Sequence, residues 1–103
     1  MKKSKNITED HIDLMHCIQK DGRASQRKIA QNTGLSIGKV NYCLRALVDI
    51  GFIKIQNFKN SDNKLNYMYI LTPKGISKKR DLAKKFILIK KQEYNKLSSY
   101  INQ

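Results

Sequence analysis

The chain has 103 residues, about the size of one small domain, and its 21 Lys and Arg against 8 Asp and Glu give a formal charge of +13. No apolar run approaches the roughly 20 residues that span a bilayer, and the first residues lead into acids rather than a signal-peptide core, so we expect a cytoplasmic protein. The positive charge favours a polyanionic partner and lies mainly after residue 24, with seven basic against two acidic residues in 25–72 and nine against two in 73–103.

The first predicted helix follows a basic tail, residues 1–7. Thr8 is a good N-cap residue, and the acids Glu9 and Asp10 suit the positive first turn of a helix. Apolar side chains then recur at helical spacing until about Lys20, before an Asp-Gly pair. We therefore expect one amphipathic helix in this segment.

The histidines and cysteines do not form a metal-binding pattern. His11 and His16 are five residues apart, which places them on different faces of a helix, and no Cys-x-x-Cys spacing occurs. Cys17 and Cys43 fall on or near apolar helix faces, so we expect buried, reduced thiols, with a redox switch as the alternative. The sequence predicts no metal and no other cofactor.

Two further helices joined by a glycine turn are predicted next. Ser25 and Ser36 are the N-caps of a shorter and a longer helix, and Gly34 between them supplies the left-handed residue at which the chain turns. Gly51 ends the longer helix. The apolar stripe of that helix consists of Ile37, Val40, Cys43, Leu44, Leu47 and Val48.

The opposite face of the longer helix is polar and is basic near its start. Arg45 can donate two hydrogen bonds to a guanine edge, Asn41 on the flank can pair with adenine, and Lys39 can reach a base or a phosphate. The only carboxylate, Asp49, is near the far end, so the positive start of the helix can approach a polyanion. An ordinary amphipathic surface helix is the alternative.

Two short β-rich runs then predict a hairpin. Residues 52–56 alternate as a half-buried strand, residues 67–71 form a second strand, and a basic polar turn separates them. We interpret this hairpin as the wing of a winged helix-turn-helix, with Lys59, Asn60 and Lys64 beside the minor groove or the flanking phosphates. A solvated turn would look similar. The fold class is mainly α with a small β-hairpin, followed by a long helix.

The last segment, residues 74–103, predicts one long helix of ~40 Å, because no proline follows Pro73. Its apolar stripe is too wide for the small domain of the same chain to bury alone. We therefore expect a homodimer interface there, with an antiparallel or splayed pair of helices rather than a regular coiled coil. An anionic membrane surface is disfavoured, since the apolar face contains charges and no Trp. The residues expected in the dimer interface are Leu82, Phe86, Ile89, Tyr94, Leu97 and Ile101.

Catalytic signatures are missing from the sequence. Gly34 and Gly38 superficially resemble a phosphate-binding loop, but only three residues separate them and Val40 stands where a metal-binding hydroxyl belongs. The few acids are scattered, with no paired carboxylates and no local nucleophile motif. We therefore expect a protein that is not an enzyme.

Three segments carry a resemblance to the MarR family of bacterial transcriptional regulators. Gly38-Lys-Val-Asn-Tyr-Cys-Leu-Arg-Ala-Leu47, Gly51-Phe-Ile-Lys-Ile-Gln-Asn-Phe-Lys-Asn-Ser61 and Leu71-Thr-Pro-Lys-Gly75 are similar to its small subgroup associated with exopolysaccharide gene clusters. The resemblance implies that residues 36–45 read the major groove, that residues 59–64 form the wing, and that two recognition helices lie about 34 Å apart on a palindromic site. Larger members use several terminal helices for dimerisation and a ligand pocket, so any effector of this chain is unknown.

The sequence thus predicts a homodimeric, sequence-specific DNA-binding transcriptional regulator, a repressor in our interpretation, and the resemblance implies that it controls exopolysaccharide genes. We divide the chain into a tail at 1–7, a winged helix-turn-helix at 8–73 and a dimerisation helix at 74–103. A non-specific architectural or RNA-binding winged helix and an adaptor for an acidic partner protein are the alternatives. The residues expected to contact DNA are Ser25, Gln26, Arg27, Ser36, Gly38, Lys39, Asn41, Tyr42, Arg45, Lys59, Asn60 and Lys64.

Overall fold

Helices and one antiparallel hairpin make up residues 7–59, 62 and 65–102, the part of the chain that the computed structural model describes. This is the predicted architecture, mainly α with a small β-hairpin and a long last helix. The elements in chain order are α1 (Glu9–Lys20), α2 (Gln26–Thr33), α3 (Ile37–Asp49), β1 (Ile53–Lys59), β2 (Leu65–Leu71) and α4 (Pro73–Ile101).

The first three helices begin at the predicted capping residues. Thr8 is extended, and its backbone N–H donates a hydrogen bond to Nδ1 of His11 at 3.1 Å. The hydroxyls of Ser25 and Ser36 each accept the backbone N–H three residues further on, at 3.1 Å. These bonds satisfy amides that have no acceptor inside the helix, so each start is fixed locally.

Glycines with positive φ end the two helices of the helix-turn-helix, as predicted. Gly34 has φ +78° and turns the chain between α2 and α3. After α3, Gly51 has φ +82°, its N–H donates to the carbonyl of Val48 at 3.1 Å, and the N–H of Phe52 donates to the carbonyl of Leu47 at 2.9 Å. This pair of bonds is a Schellman motif, which delivers Phe52 into the core at a fixed angle.

The core lies where α1, α2, α3 and the base of the hairpin meet, the hairpin contributing Ile53, Tyr69 and Leu71. The middle of the predicted stripe of α3 is buried, whereas Ile37 at its start is 43% exposed and Val48 at its end is half-buried. Ile37 occupies the first position of α3, where it borders a shallow surface depression together with Gly34 and Leu35 of the turn. Cys17 is half-buried and Cys43 is buried, and both are free thiols. The largest fully buried side chains are Leu14, Met15, Ile29, Val40, Cys43, Leu47 and Ile53.

The hairpin is longer than the apolar alternation predicts. β1 pairs antiparallel with β2, with Ile53 opposite Leu71 and Lys59 opposite Leu65. We predicted the end of the first strand at Gln56, which is wrong by three residues because backbone pairing continues beyond the buried positions. The hairpin therefore projects from the core as an extended two-stranded wing.

The first turn of α4 is fixed to the end of α3. The hydroxyl of Thr72 donates to the carbonyl of Gly51 at 2.6 Å and accepts the N–H of Gly75 at 3.0 Å. Nζ of Lys74 donates to the carbonyl of Ile50 at 3.2 Å. A long helix is thus joined directly to the end of α3, so the direction of α4 is tied to the direction of α3.

Candidate nucleic-acid interface

The exposed face of α3 has the composition that the helical wheel predicts. Gly38, Lys39, Tyr42 and Arg45 are exposed, and Asp49 is exposed at the last turn. The basic residues precede the acid, so they lie nearer the positive end of the helix dipole. This arrangement favours an anionic partner at the start of α3.

Lys39 has an acidic neighbour that the sequence reasoning missed. Its Nζ lies 3.9 Å from Oδ2 of Asp10 in α1, and the two side chains are 43% and 42% exposed. The same Nζ lies 5.9 Å from the centre of the Tyr42 ring. An exposed pair of this kind contributes only about 0–1 kcal/mol, so a phosphate can replace the carboxylate.

Asn41 is held by a chain of side-chain hydrogen bonds rather than standing free on the flank of α3. Its Nδ2 donates to Oε1 of Gln26 at 3.4 Å, and Nε2 of Gln26 donates to the hydroxyl of Tyr69 at 3.5 Å. Asn41 and Gln26 are half-buried, whereas Tyr69 is only 6% exposed. Burial raises the pKa of Tyr69, and the bond from Gln26 acts in the opposite direction, so the phenol is neutral at physiological pH.

The starts of α2 and α3 carry the remaining helical candidates. Ser25, Arg27 and Ser36 are all exposed, and both serines act as N-caps. Because first-turn amides have no acceptor inside the helix, both starts present positive partial charge. Their geometry suits contact with phosphate oxygens.

The wing contributes one described candidate and one unexpected neighbour. Lys59 is exposed at the end of β1, whereas Asn60 and Lys64 lie outside the described residues. The guanidinium of Arg23 lies over the ring of Phe58, 4.8 Å from its centre. No local pattern indicates this contact, because Arg23 precedes α2 and meets the wing only in the folded chain.

The apolar residues of α4 divide into a covered part and an uncovered part. Leu82, Phe86 and Ile89 are half-buried, whereas Leu97 is 61% and Ile101 82% exposed. Tyr94, also mostly exposed, and Phe86 line a cleft of about 600 Å³ between α1 and α4. An ion pair of 3.1 Å between Lys90 and Glu9 lies at this cleft.

Other chemistry has little support among the described residues. Within residues 7–59, 62 and 65–102, no group of His, Cys, Asp and Glu could hold a metal ion. Burial raises the pKa of the Cys43 thiol, which keeps it protonated at neutral pH. No helix in the same part of the chain is both long and apolar enough to cross a membrane.

Comparison with known proteins identifies the fold. Residues 10–54 match a family model described as winged helix-turn-helix DNA-binding, which covers α1, α2, α3 and the start of β1 but less than half of the chain. The fold is a winged helix-turn-helix. No curated protein sequence matches the chain significantly.

Solved structures share this fold over most of the chain. FabT of Streptococcus pneumoniae in complex with DNA aligns with a TM-score of 0.57 and 19% identity, over 89% of this chain and 62% of that chain. A single-residue variant of Lactococcus lactis ZitR gives 0.61 and 18%, over 90% and 63%. A variant of MepR from S. aureus gives 0.61 and 20%, over 87% and 66%. The chain therefore spans less than two thirds of the length of each.

Proposed function

We propose that this chain is a MarR-type transcriptional regulator that acts in the cytoplasm and binds double-stranded DNA sequence-specifically as a homodimer. The observation that carries the proposal is the exposed face of α3, on which the basic residues Lys39 and Arg45 precede the acid Asp49, presented by a winged helix-turn-helix. The three structural neighbours are MarR-family regulators, and FabT was solved with DNA, which supports the same kind of partner here. Residues 8–73 would form the DNA-binding unit and residues 74–103 the dimerisation helix.

In this proposal α3 enters the major groove with its N-terminal end leading. Arg45 can donate in parallel to O6 and N7 of guanine, and Lys39 can exchange Asp10 for a phosphate. Tyr42 lies beside Lys39 on the same face and can pack against the sugar-phosphate backbone. Asp49, at the far end, would be kept away from the phosphates by this orientation.

The other candidate contacts surround α3 and fix its register on the duplex. Ser25, Arg27 and Ser36 would bind phosphates at the starts of α2 and α3, and Lys59 would contact the backbone beside the minor groove. Such contacts release counterions, so affinity should fall steeply with salt. The candidates Asn60 and Lys64 remain part of this proposal from the sequence alone.

The uncovered apolar face of α4 supports dimerisation through this helix. Tyr94, Leu97 and Ile101 are 71%, 61% and 82% exposed, and an exposed apolar patch of this kind is typical of a protein–protein contact surface. A second copy related by a two-fold axis would cover the same residues on both chains. Two copies of α3 about 34 Å apart would then match a palindromic operator.

The finer part of the proposal is repression of exopolysaccharide genes. It is supported by the similarity of residues 38–47, 51–61 and 71–75 to the exopolysaccharide-associated subgroup. Occupation of a palindrome that overlaps a promoter would block transcription without any chemistry by the protein. Measurement of transcript levels in a deletion strain would test both the target and the sign of regulation.

Selection from a randomised duplex library tests the main claim. The full chain should enrich a palindromic consensus and bind it at least a hundredfold more tightly than a shuffled duplex of equal composition, at moderate salt. Equal and salt-labile binding of both duplexes would indicate an architectural protein. Absence of binding to any duplex would favour an adaptor for an acidic protein.

A further inference from the structure

Three elements of the fold meet through one short hydrogen-bond chain. It runs from Asn41 in α3 through Gln26 at the start of α2 to Tyr69 in β2. These residues, which we name the amide relay, border a groove between α3 and the wing that Arg45 and Ile55 also line. The relay is therefore next to the proposed base-reading surface.

The hydrogen bonds of the amide relay run in one direction, since Asn41 donates to Gln26 and Gln26 donates to Tyr69. Asn41 uses one of its two Nδ2 hydrogens on Oε1 of Gln26, which leaves its second hydrogen and Oδ1 for another partner. A purine with an N–H donor beside a ring nitrogen acceptor, as on the major-groove edge of adenine, needs that remaining pair. The relay thus leaves Asn41 with the donor and acceptor that adenine requires.

The hydroxyl of Tyr69 is not needed to fill the core. Tyr69 is 6% exposed, and its ring packs with the buried residues that surround Ile53 and Leu71. Phenylalanine would fill the same space without introducing a polar atom that requires a partner. The hydroxyl therefore serves polar contacts: it bonds to the side chain of Tyr67, and its bond to Gln26 links the wing to the side chain that holds Asn41.

We propose that Gln26 and Tyr69 are positioning residues that pre-orient the amide of Asn41 for reading a purine edge. This inference rests on the proposed sequence-specific binding, and it separates the residue that contacts the base, Asn41, from the two residues that orient it. Gln26, which the sequence reasoning assigned to direct contact, acts here through Asn41. A side chain ordered before binding loses less conformational freedom in the complex, so the relay increases discrimination between duplexes rather than general affinity.

A double-mutant cycle tests the amide relay. The probes are the duplex that the wild-type chain enriches from a randomised library and a shuffled duplex, bound by wild type, Tyr69→Phe, Asn41→Ala and the double variant. Tyr69→Phe should reduce the preference for the enriched duplex about 2- to 10-fold, with an unchanged salt slope. In the Asn41→Ala background the same substitution should have no further effect.

Two further variants make the experiment decisive. Tyr100→Phe removes an exposed hydroxyl at the far end of α4 and should leave the preference unchanged. If Tyr69→Phe lowers the melting temperature substantially, Gln26→Met replaces it in the double-mutant cycle. Gln26 is half-buried, and methionine at this position removes both hydrogen bonds of the relay.

The outcomes separate this inference from the function on which it rests. If the wild-type chain enriches no sequence, the proposed function fails and the relay has no role in reading bases. If the wild type is specific but the relay variants match it, the positioning role alone is refuted. An equal loss with and without Asn41 would also refute it, since the hydroxyl would then act by another route.

Discussion

Gly38 offers a test in which folding and DNA binding should respond in opposite directions. It lies at the second position of α3, is exposed, and has an ordinary φ, and a Cβ built on it meets no atom within 4 Å. Nothing in the folded chain therefore requires glycine at this position. Alanine should stabilise the protein, because glycine loses more backbone freedom on folding.

The stabilisation should be about 0.5 kcal/mol, the lower end of the range for glycine-to-alanine changes in helices, since Gly38 is in the first turn. For a chain of this size that raises the melting temperature by roughly 2–4 °C. Thermal unfolding followed by circular dichroism, at one fixed protein concentration, measures this change.

DNA binding should weaken in the same variant. The N–H of Gly38 belongs to the first turn, where the helix offers it no acceptor, and the missing side chain leaves it open to a phosphate. A hydrogen bond to a charged group contributes about 1.5–3 kcal/mol, so loss of close approach should reduce affinity roughly 10- to 150-fold. Fluorescence anisotropy with the library-enriched duplex measures the loss.

The two measurements together can refute the reasoning. A stabilised variant with wild-type affinity would show that the backbone at Gly38 does not approach DNA. A destabilised variant would show that an unrecognised folding requirement selects glycine. Ser77→Ala, an exposed change in the first turns of α4, is a matched control that should leave DNA affinity unchanged.

Three other predictions follow from the structure. Gly75→Ala should lower the free energy of unfolding by about 1–3 kcal/mol in urea titrations, because the added Cβ collides with a backbone carbonyl of the segment after α3; unchanged stability would contradict the tight joint. Leu97→Asp should be monomeric in light scattering, whereas the neighbouring variant Lys96→Asp should remain dimeric. If both variants remain dimeric, the interface lies elsewhere. Arg45→Ala should reduce the binding free energy for the enriched duplex by about 1–3 kcal/mol and relax the sequence preference at one base pair. Lys59→Ala should weaken binding to all duplexes alike and reduce the salt slope of the affinity. Equal, sequence-independent losses in both variants would exclude direct readout by Arg45.

Local signals in the sequence predicted the helix-turn-helix well. Ser25, Ser36 and Gly34 act through bonds that span three or four residues, so their roles can be inferred without the fold. The strand ends were less predictable, because pairing of β1 with β2 depends on a partner and not on local alternation. Periodicity alone predicted most of the buried face of α3, but it missed the buried Ala46 and included the exposed Ile37 and the half-buried Val48.

Contacts between distant segments limited the prediction of the site. Asn41 looked free on the wheel, but its amide is held by Gln26, which in turn bonds to Tyr69 in the wing. Lys39 looked like an isolated cation, but α1 brings Asp10 beside it. Charge and spacing identify which side chains face outwards, whereas their orientation within that surface depends on which elements the fold brings together.

The charge of α4 makes a final prediction about salt. Residues 73–103 carry nine basic and two acidic side chains, so two copies that dimerise through this helix repel each other electrostatically. Added salt screens that repulsion and favours the dimer, whereas it weakens the phosphate contacts of each α3. At protein concentrations where monomers predominate, affinity for the enriched duplex should therefore pass through a maximum as salt increases.

At concentrations where the chain is fully dimeric, the affinity for the enriched duplex should fall steadily as salt increases. Light scattering across the salt series locates the two regimes, and anisotropy at one concentration in each completes the test. A steady fall with one slope in both regimes would show that DNA binding is not coupled to dimerisation. The basic surface would then serve phosphate contacts alone, and α4 would need a different role from the one its uncovered apolar face indicates.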